Sequence, residues 1–282
     1  MPTTNSSTHS VPHLTLHPES TYPPDAFPDD LKSLTLEHTP FSAYKTTITK
    51  LTVKTLTEFH LNDTDPEDKP DLSYLLDFLE NNPALNLVEI NIPNESKPLV
   101  KQDRASRDKI KLPQLASLSL KYSHWEDAEY LISNICIPAS KETELKIEWQ
   151  GTHLNDILES IGNFASSPTQ MDMDLCNKKI ELLGPNGKLS LCPIHEDMCI
   201  VLGLTVAPEG VDITQLPPKP SLKFPALKTI IIKGLGCSYP TGALKDFINS
   251  FGDSLNHMVG YRSKKVSKQD MQVWQKECLS VK

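Results

Sequence analysis

Apolar residues recur along this chain in a fixed short pattern, apolar-x-x-apolar-x-apolar. It reads clearly as Leu31-Leu34-Leu36, Leu56-Phe59-Leu61, Leu85-Val88-Ile90, Leu115-Leu118-Leu120 and Leu227-Ile230-Ile232. The spacing of the first four copies is 25, 29 and 30 residues, and the gap from 115 to 227 is four times 28. Weaker copies fall where that period expects them, at Glu142-Leu145-Ile147, Gln170-Met173-Leu175, Cys199-Leu202-Leu204 and Leu255-Met258, and Val11-Leu14-Leu16 is read as the start of the series. Alternating apolar positions predict a short strand with one buried face. A period in the twenties predicts a stack of like units, each burying its apolar face against the next.

A second pattern follows several strands. Leu72, Leu75, Leu76 and Leu79 form the i, i+3, i+4, i+7 stripe of an amphipathic helix. The same stripe appears as Ala128, Leu131, Ile132 and Ile135, as Leu154, Ile157, Leu158 and Ile161, and as Leu244, Phe247, Ile248 and Phe251. Pro83, Pro138 and Pro168 follow three of these stripes and stop them. Strand, turn, helix, turn is an α/β unit with a right-handed crossover. Strands packed about 4.8 Å apart on one side and helices about 10 Å wide on the other make the stack curve. The expected fold is an α/β curved solenoid resembling leucine-rich repeats, with parallel strands on the concave face, helices on the convex face and a period of about 28.

The pattern breaks in a few places. Residues 1–10 are expected to be disordered, and the solenoid to span 11–282. KKIELL and KLSLC around GPNG predict a hairpin insertion. Residues 207–226 are rich in proline and predict an irregular loop. Ser267 with Asp270 forms a capping-box pattern, and a helix over 267–278 carrying Met271 and Trp274 is expected to cap the C-terminal end. Thr39, Thr64 and Ser123 stand where leucine-rich repeats usually place asparagine or cysteine.

Composition adds exclusions. Of 282 residues, 38% are hydrophobic and 23% charged, which suits a folded chain with a core. The net charge of −8 is not the basic balance of a nucleic-acid or anionic-membrane binder, so neither is expected as a partner. No secretory signal and no run near the roughly 18 apolar residues of a membrane span is visible, so an intracellular location, cytoplasmic or nuclear, is expected.

Candidate chemistry is sparse. Cys192, His195 and Cys199 have zinc-ligand identities, but Cys176, the available fourth ligand, is remote in sequence and there is no CxxC pair, so buried or idle cysteines explain them better. Gly234 and Gly236 lack the third glycine of a dinucleotide fingerprint, because position 239 is Tyr239. GPNGKLS is too short for a phosphate loop and suits a hairpin turn. No cofactor, no metal and no catalytic constellation is expected, so the chain reads as a binding protein and not an enzyme.

Several phrases resemble the leucine-rich region of fungal, mushroom-type F-box proteins: PDDLKSLTLEHTPFS, LSYLLDFLENNPAL, LPQLASLSLKYS, FPALKTIIIKG and VSKQDMQVWQ. The resemblance runs from about residue 10 to 280. It implies a repeat surface that recruits a target protein for a cullin-type ubiquitin ligase. It also implies a Skp-type adaptor as partner, provided an F-box is encoded upstream, since the thirty residues before Leu31 carry none. The alternative is a stand-alone scaffold, or a degenerate paralogue lacking the F-box, with no ligase role.

The binding surface is read from the residues that alternate with the buried ones. Those on the expected concave face are Glu58, His60, Glu89, Ser117, Ser119, Glu144, Lys146, Glu148, Asp172 and Asp174, running into Val201, Gly203, Thr205, Thr229 and Ile231. Adjacent strands would gather six carboxylates, which favours a partner with a basic segment.

Overall fold

The computed structural model describes residues 13–17, 27–37, 51–62, 72–92, 108–122, 125–140, 142–150, 154–161, 167–175, 177–194, 224–235 and 257–262. The chain is α/β and divides into two compact units, residues 1–121 with 134–138, and residues 122–133 with 139–282.

In the first unit, strands β1 (His13–Leu16), β2 (Ser33–Glu37), β3 (Glu58–Asn62) and β4 (Leu87–Ile92) pair in parallel, each with the next. Helix α1 (Leu72–Asn81) joins β3 to β4. A short strand, β5 (Ile110–Lys111), precedes β6 (Ser117–Tyr122), which lies beside β4. The register sets Leu34 against Phe59 and Phe59 against Val88, so the apolar triplets align as the period predicted. Leu34, Leu36, Phe59, Leu61, Val88, Ile90, Leu118 and Leu120 are all buried. Helix α1 buries Leu72, Leu75, Leu76 and Leu79, and its Phe78 ring meets Phe59 of β3 at 4.5 Å. The helix therefore covers the apolar face of the sheet, and the alternate face stays polar.

Helix α2 (Trp125–Asn134) follows, with Ala128, Leu131 and Ile132 buried; Ile135, expected to end its stripe, instead opens β7 (Ile135–Cys136), which pairs in parallel with β5. The second unit then holds β8 (Glu144–Trp149), helix α3 (Leu154–Ile161), β9 (Gln170–Asp174), β10 (Lys179–Gly184), β11 (Gly187–Pro193), β12 (Thr229–Leu235) and β13 (His257–Arg262). In α3, Leu154, Ile157 and Ile161 are buried and Leu158 half-buried. The order across the sheet is β8-β11-β10-β9-β12-β13. The pairs β8–β11, β9–β12 and β12–β13 are parallel, and β9–β10–β11 is an antiparallel meander.

Two backbone devices recur and explain the period. The first is a turn ahead of β2, β3, β4, β6, β8 and β12. The N–H of Leu31, Leu56, Leu85, Leu115, Thr143 and Leu227 donates to the carbonyl three residues back, on Pro28, Val53, Asn82, Leu112, Ser140 and Phe224, at 3.0–3.2 Å. Pro83, Pro113 and Pro225 sit second in their turns, the position a fixed proline φ suits. The second device is a carbonyl just before a strand that accepts two N–H groups of the next unit. Lys32 takes Thr57 and Glu58, Thr57 takes Asn86 and Leu87, Asn86 takes Ala116 and Ser117, and Thr169 takes Lys228 and Thr229, all at 2.7–3.1 Å.

These hydrogen bonds correct the register of two weak copies. Thr143, not Glu142, closes the turn before β8; it is buried while Glu142 is exposed. In β9, Met171 and Met173 align with Ile230 and Ile232, so that copy begins at the buried Pro168 and not at Gln170. The predicted irregular loop also ends early, because 224–227 is an ordered turn with Phe224 buried. Residues 1–10, most of 207–226, the copy at 199–204, the stripe at 244–251, the helix at 267–278 and Thr39, Thr64 and Ser123 lie outside the described residues.

Candidate functional site: the polar strand faces

Alternation along each strand builds the candidate surface. In the first unit the exposed or half-buried positions are Thr35 and Glu37 on β2, Glu58, His60 and Asn62 on β3, Leu87, Glu89 and Asn91 on β4, and Ser117, Ser119 and Lys121 on β6. The register places His60 beside Glu89, and His60 Nδ1 lies 2.8 Å from Glu89 Oε2. One strand position further, Asn91 Nδ2 donates to Asn62 Oδ1 at 2.8 Å. This short asparagine pair is the ladder the turn positions did not offer. It lies at the strand ends, at two positions the reading of the polar face left out.

In the second unit Glu144, Lys146 and Glu148 share the polar face of β8, and Asp172 and Asp174 that of β9, as expected. The two strands, however, are not neighbours. Strands β11 and β10 lie between them, so three interstrand steps of about 4.8 Å, roughly 14 Å, separate the two acidic groups. The expectation that adjacent strands pool these carboxylates is corrected by that topology.

The intervening strands carry the residues that sequence reading missed. Lys188 and Cys192 of β11, and Lys179, Glu181 and Leu183 of β10, point to the same face, with Ser190 between Lys188 and Cys192. Lys188 Nζ lies 3.2 Å from Glu144 and 2.9 Å from Glu181, and Lys179 lies 2.7 Å from Glu181. Lys146 pairs with Glu148, and Lys233 of β12 lies 3.8 Å from Asp172. Asp174 accepts from the backbone N–H and the side-chain amide of Asn177 at 3.0 and 2.8 Å. The surface is therefore an interleaved network of both signs, not an acidic field.

That network sets the titration of its members. Burial alone would raise the Glu181 carboxyl, but the hydrogen bonds and charges of Lys179 and Lys188 outweigh it and hold the group below its ordinary value. Lys188 is raised, chiefly by its hydrogen bond to Glu181, against the opposing cost of desolvation. Burial, with the nearby Glu148 charge, pushes the Cys192 thiol up, so it is no activated nucleophile. Cys176, His195 and Cys199 lie outside the described residues, and among the described residues no group of three His, Cys, Asp or Glu could hold a metal ion.

Away from this face, Tyr122 and Asp127 are wholly buried in the second unit, with Trp125 beside them in sequence. The Tyr122 hydroxyl and Trp125 Nε1 have no hydrogen-bond partner. Burial, and then the charge of Asp127, holds Tyr122 well above the ordinary tyrosine value.

No protein-family model, curated protein or solved structure matches the chain. Among the described residues no helix is long and apolar enough to cross a membrane.

Proposed function

We propose that this chain is a leucine-rich-repeat-like solenoid that recruits another protein on its polar strand face, in the manner of the target-binding region of an F-box protein. The carrying observation is the recurrence of one unit. The same turn, the same two-fold carbonyl acceptor and the same aligned apolar pair return strand after strand, while the alternate positions stay polar and accessible. Such a face offers many side chains on rigid strands, which is what recognition needs. On this reading the protein is not an enzyme. It acts inside the cell, takes neither nucleic acid nor membrane as partner, and meets a Skp-type adaptor only through an F-box encoded upstream of Leu31.

Crosslinking of the tagged chain in cells, followed by peptide mapping, tests the proposal. Crosslinks should concentrate on strand-face residues such as Lys146, Lys179 and Lys188. Crosslinks confined to helix residues, or a chain that captures no protein, would sink it. Co-purification of an adaptor and cullin would support the ligase role; a target captured without them would favour the stand-alone scaffold.

A further inference from the structure

The two units treat their carboxylates differently. On the second unit's strand face Glu144, Glu148 and Glu181 each pair with a lysine, Asp172 lies 3.8 Å from Lys233, and Asp174 is bonded by Asn177. On the first unit's face stand Glu37, Glu58 and Glu89, while its strands β1, β2, β3, β4 and β6 carry a single lysine, Lys121, and no arginine. Glu37 and Glu89 meet histidines instead, His17 at 3.8 Å and His60 at 2.8 Å, and their side chains are 42% and 52% exposed. Glu58 is half-buried and forms no ion pair with a described residue. The first face therefore keeps an accessible negative charge of the kind that the second face neutralises with its own lysines.

We infer that the recruiting surface is centred on the first unit, and that Glu58 and Glu89 take two basic side chains from an extended segment of the partner protein. The inference rests on the protein-recruiting reading above and names its partner chemistry and its place. The register sets Glu58 beside Leu87 and His60 beside Glu89, so the two carboxylates stand diagonally on adjacent strands. That diagonal is about 8 Å. An extended segment presents its i and i+2 side chains on one side, about 6.6 Å apart, so lysine or arginine at those two positions spans the pair. Leu87, half-buried next to both, offers apolar surface to the carbon stem of such a side chain. The His60 hydrogen bond holds the Glu89 carboxylate in place. A basic segment approaching the second unit would instead meet Lys146, Lys179 and Lys188 and have to break pairs already made, so complementary potential favours the first face.

The test uses the full chain as bait for a phage-displayed library of random twelve-residue peptides. Selected sequences are synthesised with capped ends. Their affinities are measured for the wild type, for Glu58→Gln with Glu89→Gln, and for Glu144→Gln with Glu148→Gln as the matched pair on the second unit. Lysine or arginine should be enriched at two peptide positions separated by one residue. Glu58→Gln with Glu89→Gln should weaken those peptides about fivefold, the scale of two solvated charge pairs, with Tm unchanged. The second-unit pair of substitutions should leave affinity unaltered. Carbodiimide, which joins carboxylates to amines, should link peptide lysine to Glu58 or Glu89 of the wild type, a readout that needs no variant. Peptides enriched in aspartate or glutamate, links confined to the second unit, or affinities indifferent to the Glu58 and Glu89 substitutions would overturn the inference and leave protein recruitment standing. A library with no enrichment would overturn it too, and the crosslinking experiment in cells judges recruitment independently.

Discussion

Asn82 offers the sharpest test of how the first unit is held together. It lies just beyond α1 and is 99% buried, with relative exposure of 1%. Its side chain uses three hydrogen bonds to tie separate segments: Nδ2 donates to Leu51 O at 2.9 Å and Phe78 O at 2.8 Å, and Oδ1 accepts Val53 N–H at 3.1 Å. Asn82→Ala removes all three and strands a buried N–H and two carbonyls. A net hydrogen bond is worth about 0.5–1.5 kcal/mol, and an unmade buried donor costs about 1–3 kcal/mol. Two carbonyl losses at the low end plus one stranded donor give about 3 kcal/mol, allowing for water entering the vacated space. That is a large share of the roughly 5–15 kcal/mol a domain possesses. Asn82→Asp should do no better, because it keeps the acceptor for Val53 but turns a buried carboxylate toward two carbonyls. Urea unfolding should report the loss, and native-state hydrogen exchange should show the Val53 amide losing protection first. A loss under about 1 kcal/mol, or an unchanged Val53 amide, would refute the reasoning.

Other substitutions test other parts of the account. Leu118→Ala, at a fully buried strand position, should cost about 2–5 kcal/mol by chemical denaturation. Gly187 has φ of 123° in the β10–β11 turn and a β-carbon on Gly184 would lie 2.8 Å from Ser167 O, so Gly187→Ala and Gly184→Ala should each cost about 1–3 kcal/mol, read from the urea midpoint. Thr143→Ala should destabilise measurably and Glu142→Ala should not; the reverse order would restore the register read from the sequence. The depressed Glu181 carboxyl contributes stability that is complete above its ordinary pKa and lost as pH falls through its lower folded value, while the raised Lys188 contributes below its ordinary pKa and loses this as pH rises through the folded one. Lys188→Gln should therefore flatten both limbs of the stability–pH curve, by no more than about 0.2–1 kcal/mol for each exposed pair.

How far the sequence revealed this molecule depends on which physical constraint each residue answers to. The buried triplets were legible because a strand has period 2 and a covered face admits only apolar side chains; Leu34, Phe59 and Val88 stand aligned as counted. The β9 copy was placed two residues off, yet Asp172 and Asp174 stayed on the correct face. A slip of two preserves alternation, and only a slip of one exchanges the faces. The same degeneracy means that composition could not distinguish Pro168 from Gln170 as the first residue of that copy. Its anchor is fixed by the pairing of Met171 with Ile230, a contact 59 residues away in sequence.

The hairpin was legible from GPNG, but its place was not. Turn chemistry states that β10 and β11 pair with each other. It does not state that β11 also pairs with β8, and β10 with β9, so that the hairpin is built into the sheet instead of projecting from it. That one topological fact carries the electrostatics of the candidate site. Had β9 lain beside β8, Glu144, Glu148, Asp172 and Asp174 would have faced each other about 5 Å apart across one interstrand gap, a strongly anionic strip. With β10 and β11 between them, Lys179 and Lys188 meet Glu144 and Glu181, and Ser190 comes to lie between a lysine and a glutamate. The charge pattern of this face therefore follows from the order of four strands more than from the charge of any one of them. Charge counted along the chain gives an acidic strip; charge counted across the sheet gives a network of both signs in which Lys179 and Lys188 meet Glu181.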